Sequence, residues 1–200
     1  RCLVPKGDNL KCLFLLHGYN GDQNQWCDKS IISSLAEQYG IAVVMPYCGN
    51  GYYEDTQEDI PRFIGCELVS YIQDSLQLSN KREDTAIAGV SMGGFGALLI
   101  GSIFAQKDWI GKFDVVIGNP GVLGNANSDY FKKVFGDFDA LEGSTRDPVA
   151  ETIRASTKNL PEILLMCGSE DTLMPGNLKV VKDLRKHNIP VVWYSYKGTH

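Results

Sequence analysis

A serine with a glycine two positions before it and another two positions after it is the first feature of this sequence that could carry out chemistry. Residues 89–93 read Gly-Val-Ser-Met-Gly, between an apolar run and a stretch of small and apolar residues. A sharp strand-to-helix turn holds such a serine in a strained backbone conformation, and the glycines relieve the crowding. Because roughly 0.14 matches are expected by chance in this composition, the flanking segments carry the argument. We interpret Ser91 as a nucleophile; the alternative is a passive serine in a glycine-rich turn.

A serine hydroxyl needs a base at neutral pH, and the sequence contains three histidines. Where a serine occupies such a turn, the chain order is nucleophile, acid, base. His17 precedes Ser91, so we expect it to be structural rather than chemical. His187 ends a predicted helix, where an exposed histidine needs no catalytic explanation. His200 follows the last predicted strand through a short loop, and it is the predicted base.

The acid that orients this base should also lie just beyond the carboxyl end of a strand. Asp171 follows the apolar run 163–167 through three residues. Asp114 starts a predicted strand and Asp183 lies inside a predicted helix, so both are badly placed. Glu170 is the remaining competitor. We predict Asp171 as the acid, with Glu170 as the alternative.

Two backbone amides should stabilise the oxyanion of the tetrahedral intermediate. Met92 directly follows the nucleophile and begins a predicted helix, so its N–H is one predicted donor. The second donor is predicted from the loop after residues 13–16, where Gly18 allows a sharp turn and the Tyr19 N–H follows.

Four aromatic residues near these loops could contact a substrate. Trp26, Tyr47, Tyr52 and Tyr53 could form a wall for an acyl or phenolic group. They could equally anchor the loops through burial of their rings, and the sequence leaves both readings open.

The elements that must position these residues follow from hydrophobic periodicity. Apolar runs predict strands at 12–16, 41–45, 85–90, 113–118, 163–167 and 191–196. Amphipathic patterns predict helices at 29–39, 59–78, 93–106 and 175–187, the second of them capped by Asp59. Strands that are apolar on both faces and alternate with helices indicate an α/β class, with a mostly parallel, doubly wound sheet covered by helices on both faces. We expect a single domain over residues 1–200, and a short helix near 130–134 within a rim or lid at 119–147.

Composition narrows the possible partners. The net charge of −5 disfavours nucleic acid and anionic membranes, and no apolar run is long enough to span a bilayer. The chain opens without Met and without a signal-peptide pattern, which suggests a mature or trimmed start. The six cysteines show no metal-ligand spacing: Cys2, Cys12, Cys27, Cys48, Cys66 and Cys167. We therefore expect no metal or cofactor and a reducing, cytoplasmic compartment, with a Cys2–Cys12 disulfide between neighbouring strands as an open alternative.

Four motifs in order resemble the esterase D-type family: residues 15–21, 88–97, 167–171 and 198–200. The tributyrin-esterase branch is the most similar one. The resemblance implies an α/β-hydrolase fold, a Ser91–Asp171–His200 triad and oxyanion donors at Tyr19 and Met92. Two departures stand out: the cysteine that formylglutathione hydrolases carry after the His-Gly pair is absent, and a C-terminal aromatic-rich helix expected of the family is missing after His200.

The expected activity is that of a carboxylesterase acting on small-molecule, short-chain acyl esters through an acyl-enzyme. Three alternatives stay open: an acyltransferase, an S-formylglutathione hydrolase, and a non-catalytic binding module on the same fold.

Overall fold

Seven strands form one sheet in a computed structural model that describes residues 1–54, 59–106, 115–118, 141–155 and 160–200. They are β1 (Cys2–Leu3), β2 (Lys11–Leu16), β3 (Ile41–Val44), β4 (Thr85–Gly89), β5 (Val115–Gly118), β6 (Glu162–Gly168) and β7 (Val191–Tyr196). The strand order is β1-β3-β2-β4-β5-β6-β7. β1 pairs antiparallel with β3, and every other pair is parallel. The carboxyl ends of β2 to β7 therefore meet at one edge of the sheet.

Seven α-helices connect these strands within the described residues. They are α1 (Gln25–Lys29), α2 (Ile32–Tyr39), α3 (Ile60–Arg62), α4 (Val69–Ser75), α5 (Met92–Gln106), α6 (Pro148–Arg154) and α7 (Met174–Lys186). A π-helical segment, Phe63–Leu68, joins α3 to α4, and a 3₁₀ turn occupies Arg82–Asp84. No helix in these parts of the chain has the length and apolar character needed to cross a membrane.

The core lies on both faces of the sheet, as the apolar strands predict. Along β2, Phe14 and Leu16 face the larger cluster and Leu15 faces the smaller one. The larger cluster packs against α4, α5, α6 and α7, and the smaller one against α1 and α2. On the edge strand β7, Val192 and Tyr194 remain exposed. The expected α/β class with a doubly wound sheet is confirmed.

Two predicted helices have different boundaries in the structure. The helix predicted at 29–39 begins only at Ile32, as α2, and the extended Ser30 separates it from the short α1 before it. The helix predicted at 59–78 runs from Ile60 to Ser75 and contains the π-helical segment. Asp59 caps it as expected, accepting the Arg62 amide at 3.0 Å. Helix α6 was not predicted, and the helix expected near 130–134 lies outside the described residues.

All six cysteines are free. The Cys2–Cys12 disulfide left open by the sequence does not form, because β1 and β2 are not neighbours. Strand β3 lies between them, with Cys2 opposite Val44 and Cys12 opposite Ala42. Burial raises the pKa of the Cys12 thiol to about 12, with a smaller contribution from Cys2, so Cys12 stays protonated at neutral pH.

Candidate active site

Ser91 lies in the turn between β4 and α5 with a φ of 56°, in the left-handed region that non-glycine residues rarely occupy. The glycines on either side are required by close packing. A Cβ on Gly89 would collide with the backbone of Gly93. A Cβ on Gly93 would come within 2.5 Å of the Leu16 carbonyl oxygen. The structure therefore has the strained strand-to-helix turn that the sequence predicts.

Asp171 and His200 form a hydrogen-bonded pair at the same edge of the sheet. Asp171 follows β6 and His200 follows β7, while Ser91 follows β4. The distance between His200 Nδ1 and Asp171 Oδ2 is 2.8 Å. The Asp171 side chain is only 1% exposed, whereas that of His200 is 43% exposed. A buried carboxylate thus orients an imidazole that remains accessible.

The surroundings of Asp171 favour its ionised form. Burial alone would raise the pKa of this carboxyl. Three donors outweigh that effect: the Leu173 amide at 2.8 Å, His200 at 2.8 Å and the Cys167 thiol at 3.5 Å. The net result is a pKa below the ordinary aspartate value. Asp171 is therefore a carboxylate throughout the neutral range, suited to fix the tautomer of His200 and to stabilise its cation.

The loops that carry Asp171 and His200 are held against each other. The Ser169 amide donates to the Tyr196 carbonyl at 2.8 Å, and the Glu170 amide donates to the Gly198 carbonyl at 2.8 Å. These bonds continue the parallel pairing of β6 with β7. Gly168 makes the approach possible, because a Cβ there would lie 2.8 Å from the Thr199 carbonyl oxygen. The distance between acid and base therefore depends on this glycine.

The two competing residues occupy other surroundings. Glu170 is exposed, and the Nδ1 nitrogen of His200 bonds to Asp171 instead. His187 is exposed at the end of α7, where its Nδ1 nitrogen lies 2.8 Å from the Asp183 carbonyl oxygen. Their positions agree with the roles that the sequence assigned to them.

The loop after β2 is tied down on several sides. The Gly18 amide donates to Gln25 Oε1 at 2.7 Å, and the Gly21 amide donates to the Gly18 carbonyl at 3.0 Å. The Asn20 amide donates to Asn50 Oδ1 at 2.8 Å. Tyr19 lies at the centre of this loop. Its amide therefore belongs to a segment that is ordered before any substrate arrives.

Met92 is the first residue of α5, so the helix offers its amide no acceptor four residues back. The partial positive charge of the helix N-terminus also favours an anion at this point. Met92 is buried, at 1% exposure. The helix N-terminus favours an anion near the Met92 amide, and the role of Met92 and Tyr19 as oxyanion donors stays a prediction.

Three aromatic residues considered for substrate contact are anchored in the protein instead. The Trp26 indole packs against the smaller core cluster and donates to the Leu16 carbonyl at 3.0 Å. Tyr52 and Tyr53 are 6% and 1% exposed. The Tyr52 ring meets Phe95 edge-on, with centroids 5.6 Å apart. Burial raises the pKa of Tyr52 to about 12. Burial of the two tyrosines favours loop anchoring, and substrate contact by Trp26, Tyr52 and Tyr53 stays a prediction.

A groove of about 640 Å³ lies near the loop that follows β2. Its lining includes Tyr47 and Cys48 from one loop, and Arg62 and Phe63 from the helical segment that begins at Ile60. The Tyr47 ring stacks on His17, with centroids 5.7 Å apart. Tyr47 and Phe63 are 63% and 40% exposed, so both rings are available for contact. The sequence suggested Tyr47, whereas no sequence signal marked Phe63, since only the packing of the helix brings it here.

In the part of the chain that the structure describes, no three His, Cys, Asp or Glu side chains are grouped in a way that would hold a metal ion. The chemistry available at this edge of the sheet is that of a serine hydroxyl, a carboxylate-bound imidazole and backbone amides.

Comparison with known proteins finds similarity to esterases. The family model described as "Putative esterase" matches residues 3–107. An acetyl esterase of Caldicellulosiruptor saccharolyticus is 32% identical over 208 residues, covering 96% of this chain and 78% of that protein.

Two solved structures from Staphylococcus aureus share the fold. Fluorophosphonate-binding serine hydrolase F superimposes with a TM-score of 0.86 at 24% identity, over 100% of this chain and 84% of that one. An S-formylglutathione hydrolase superimposes with a TM-score of 0.81 at 26% identity, over 98% of this chain and 79% of that one. The fold is therefore that of the α/β-hydrolases. With a family model matching more than half of its length and a relative this similar across nearly all of it, the chain belongs to the esterase family.

Proposed function

We propose that this chain is a carboxylesterase of short-chain acyl esters, with Ser91 as nucleophile, His200 as general base and Asp171 as the residue that orients the base. One observation carries the proposal. A serine in the left-handed backbone conformation follows β4, at the sheet edge where a buried carboxylate holds an accessible imidazole at 2.8 Å. The relative named acetyl esterase acts on the same class of bond that this arrangement could cleave.

The proposed reaction has two halves. Ser91 Oγ attacks the ester carbonyl carbon while His200 Nε2 takes the hydroxyl proton. The amides of Tyr19 and Met92 stabilise the oxyanion of the tetrahedral intermediate. Collapse of that intermediate breaks the ester bond, and His200 gives its proton to the departing alcohol. Water then attacks the acyl-enzyme, passing one proton through His200 to Ser91 as the carboxylic acid leaves.

We further propose that the acyl group enters the groove beside Tyr47, whose ring stacks on His17 in the loop after β2, and that this groove prefers small substituents. A methylene gains about 0.8 kcal/mol only when it is removed from water. Tyr47 and Phe63 remain largely exposed, and the charged residues Arg62 and Glu67 border the same groove. A long acyl tail would therefore stay partly hydrated there. We expect kcat/KM to be highest for acetyl to butyryl esters and lower for octanoyl esters.

We also propose a single catalytic domain working in a reducing compartment such as the cytoplasm, without nucleic acid or membrane as a partner. Six free cysteines support the reducing compartment, because a chain of this size in an oxidising one would more often pair them. The net charge of −5 supports the exclusion of polyanionic partners.

A panel of p-nitrophenyl esters tests the substrate proposal. The panel runs from acetate to decanoate, with an S-acyl thioester beside it and the Ser91→Ala variant as the control for background hydrolysis. A rate that falls beyond butyrate supports the short-chain assignment. A kcat/KM that keeps rising to decanoate, or strong turnover of the thioester alone, would replace it with a different substrate class.

A further inference from the structure

The ring of His17 has a hydrogen-bonding partner on each nitrogen, although it lies outside the proposed triad. It is 1% exposed. Nδ1 lies 2.8 Å from the Gly18 carbonyl oxygen, and the Cys48 amide lies 3.3 Å from Nε2. An amide N–H can only donate, so Nε2 must be the acceptor. The ring proton is therefore on Nδ1, which donates to the Gly18 carbonyl.

The Gly18 carbonyl and the Tyr19 amide belong to the same peptide unit. A trans peptide is planar, and its C=O and N–H groups point in opposite directions. Whatever holds the Gly18 oxygen therefore also sets the direction of the Tyr19 N–H. Two donors hold that oxygen: His17 Nδ1 at 2.8 Å and the Gly21 amide at 3.0 Å.

The imidazole itself is clamped. Tyr47 stacks on it, and the Tyr53 ring packs at 5.6 Å with a tilt of 57°. The Tyr53 hydroxyl donates to the His17 carbonyl at 2.9 Å. Two tyrosine rings contact the imidazole and each of its nitrogens has a hydrogen bond, so the imidazole cannot rotate without losing several contacts at once. It is a fixed support for the peptide that follows it.

We propose that His17 is a positioning residue for the oxyanion hole: its Nδ1–H holds the Gly18 carbonyl and thereby aims the Tyr19 amide at the developing oxyanion. This inference rests on the proposed function, which supplies Tyr19 as a donor. The donor is aimed before the substrate binds, so no reorganisation is needed in the transition state. His17 takes no proton from the reacting groups.

Two substitutions separate this role from packing. In His17→Asn the side-chain amide nitrogen can take the place of Nδ1 and still donate to Gly18. In His17→Gln the amide reaches the Nε2 position, so it can accept from Cys48 but cannot donate to Gly18. Both variants lose the stacking on Tyr47. Their losses in thermal stability should therefore be similar, and their losses in activity should differ.

We expect kcat to fall about 100-fold in His17→Gln and less than about tenfold in His17→Asn, with little change in KM. Affinity for a trifluoromethyl ketone, which forms an oxyanion with the nucleophile, should fall with kcat/KM in each variant. Equal losses of kcat in both variants, or a loss confined to KM, would overturn the proposal. Fluorophosphonate labelling of Ser91 is measured independently in the wild-type protein. If that labelling does not occur, the proposed function is refuted, whereas the role of His17 is tested only by the two variants.

A measurement on the wild-type protein tests the proposal even if the His17 variants do not fold. Nitrogen-15 NMR of the histidine rings at neutral pH should show a neutral His17 with its proton on Nδ1. A proton on Nε2, or on both nitrogens, would contradict the proposed support of the Gly18 carbonyl.

Discussion

Replacing Gly168 with alanine should slow catalysis by moving the segment that carries His200. The added Cβ would press hardest on the Gly198 carbonyl oxygen, and it would also lie 2.7 Å from the Gly198 carbonyl carbon. To bring the Gly198 carbonyl oxygen back to an ordinary contact of about 3.4 Å, the backbone of residues 198–199 must retreat by about 1 Å. Displacements near 1 Å in catalytic geometry cost roughly 100-fold in rate, so we expect roughly a 100-fold loss of kcat.

The assay is steady-state hydrolysis of p-nitrophenyl acetate, with thermal unfolding measured in parallel. Overpacking of this kind costs about 1–3 kcal/mol of stability, so the variant should still fold. Gly51→Ala is the matched control, because a Cβ there meets nothing within 4 Å. Acylation and deacylation should slow together in Gly168→Ala, since His200 acts in both. A folded Gly168→Ala protein with wild-type kcat would refute the reasoning.

The remaining predictions concern carboxylates. Asp171→Asn should lower kcat by several orders of magnitude, whereas the exposed Glu170→Gln should change it little, and the reverse order would reassign the acid. Because the pKa of Asp171 is lower in the folded protein, its ionisation stabilises the fold above the ordinary aspartate pKa, and that stabilisation is lost as pH falls through the lowered value. Denaturant melts should therefore show a smaller loss of stability between pH 5 and pH 2 in Asp171→Asn than in the wild type. Glu54 is buried and Arg146 bonds to both of its carboxylate oxygens, so Glu54→Gln should lower the free energy of unfolding by about 3–5 kcal/mol. Lys179 pairs with Asp183 at the surface, so Lys179→Met should lower it by less than about 1 kcal/mol. Equal losses in the two variants would contradict this reasoning.

The sequence is informative where local patterns and strand order act together. Two glycines flank Ser91 because the turn leaves no room for a Cβ, so the spacing of the residues carries the geometry directly. The apolar runs locate the strands, and parallel strands place their carboxyl ends at one edge. That logic is enough to bring Asp171 next to His200 in the structure.

Local sequence patterns do not predict side-chain burial or strand neighbours where contacts between distant parts of the chain determine them. Tyr52 and Tyr53 could have lined a pocket, but both side chains are buried. Tyr52 packs edge-on against Phe95, and the Tyr53 hydroxyl donates to the His17 carbonyl. Cys2 and Cys12 looked like neighbours in sequence order, yet β3 is inserted between their strands.

One missed element had a readable signal. Helix α6 begins with Asp147 as its cap, whose carboxylate accepts from Val149 and Ala150, and continues with Pro148 in the first turn. Both residue types are typical of a helix start. The π-helical segment at 63–68 has no comparable signal in the sequence. Gly65 within it packs against the Phe104 ring of α5, and a contact between residues so far apart in the chain cannot be read from the local pattern.

The identity of the nucleophile can be measured directly. The wild-type protein is treated with a fluorophosphonate, digested, and the modified residue is located by mass spectrometry, with Ser91→Ala treated in the same way. The account predicts one adduct on Ser91, none in the variant, and a loss of kcat of about 10⁴-fold or more in a variant that keeps its thermal stability. An adduct on a different serine, or hydrolysis that survives the substitution, would contradict it.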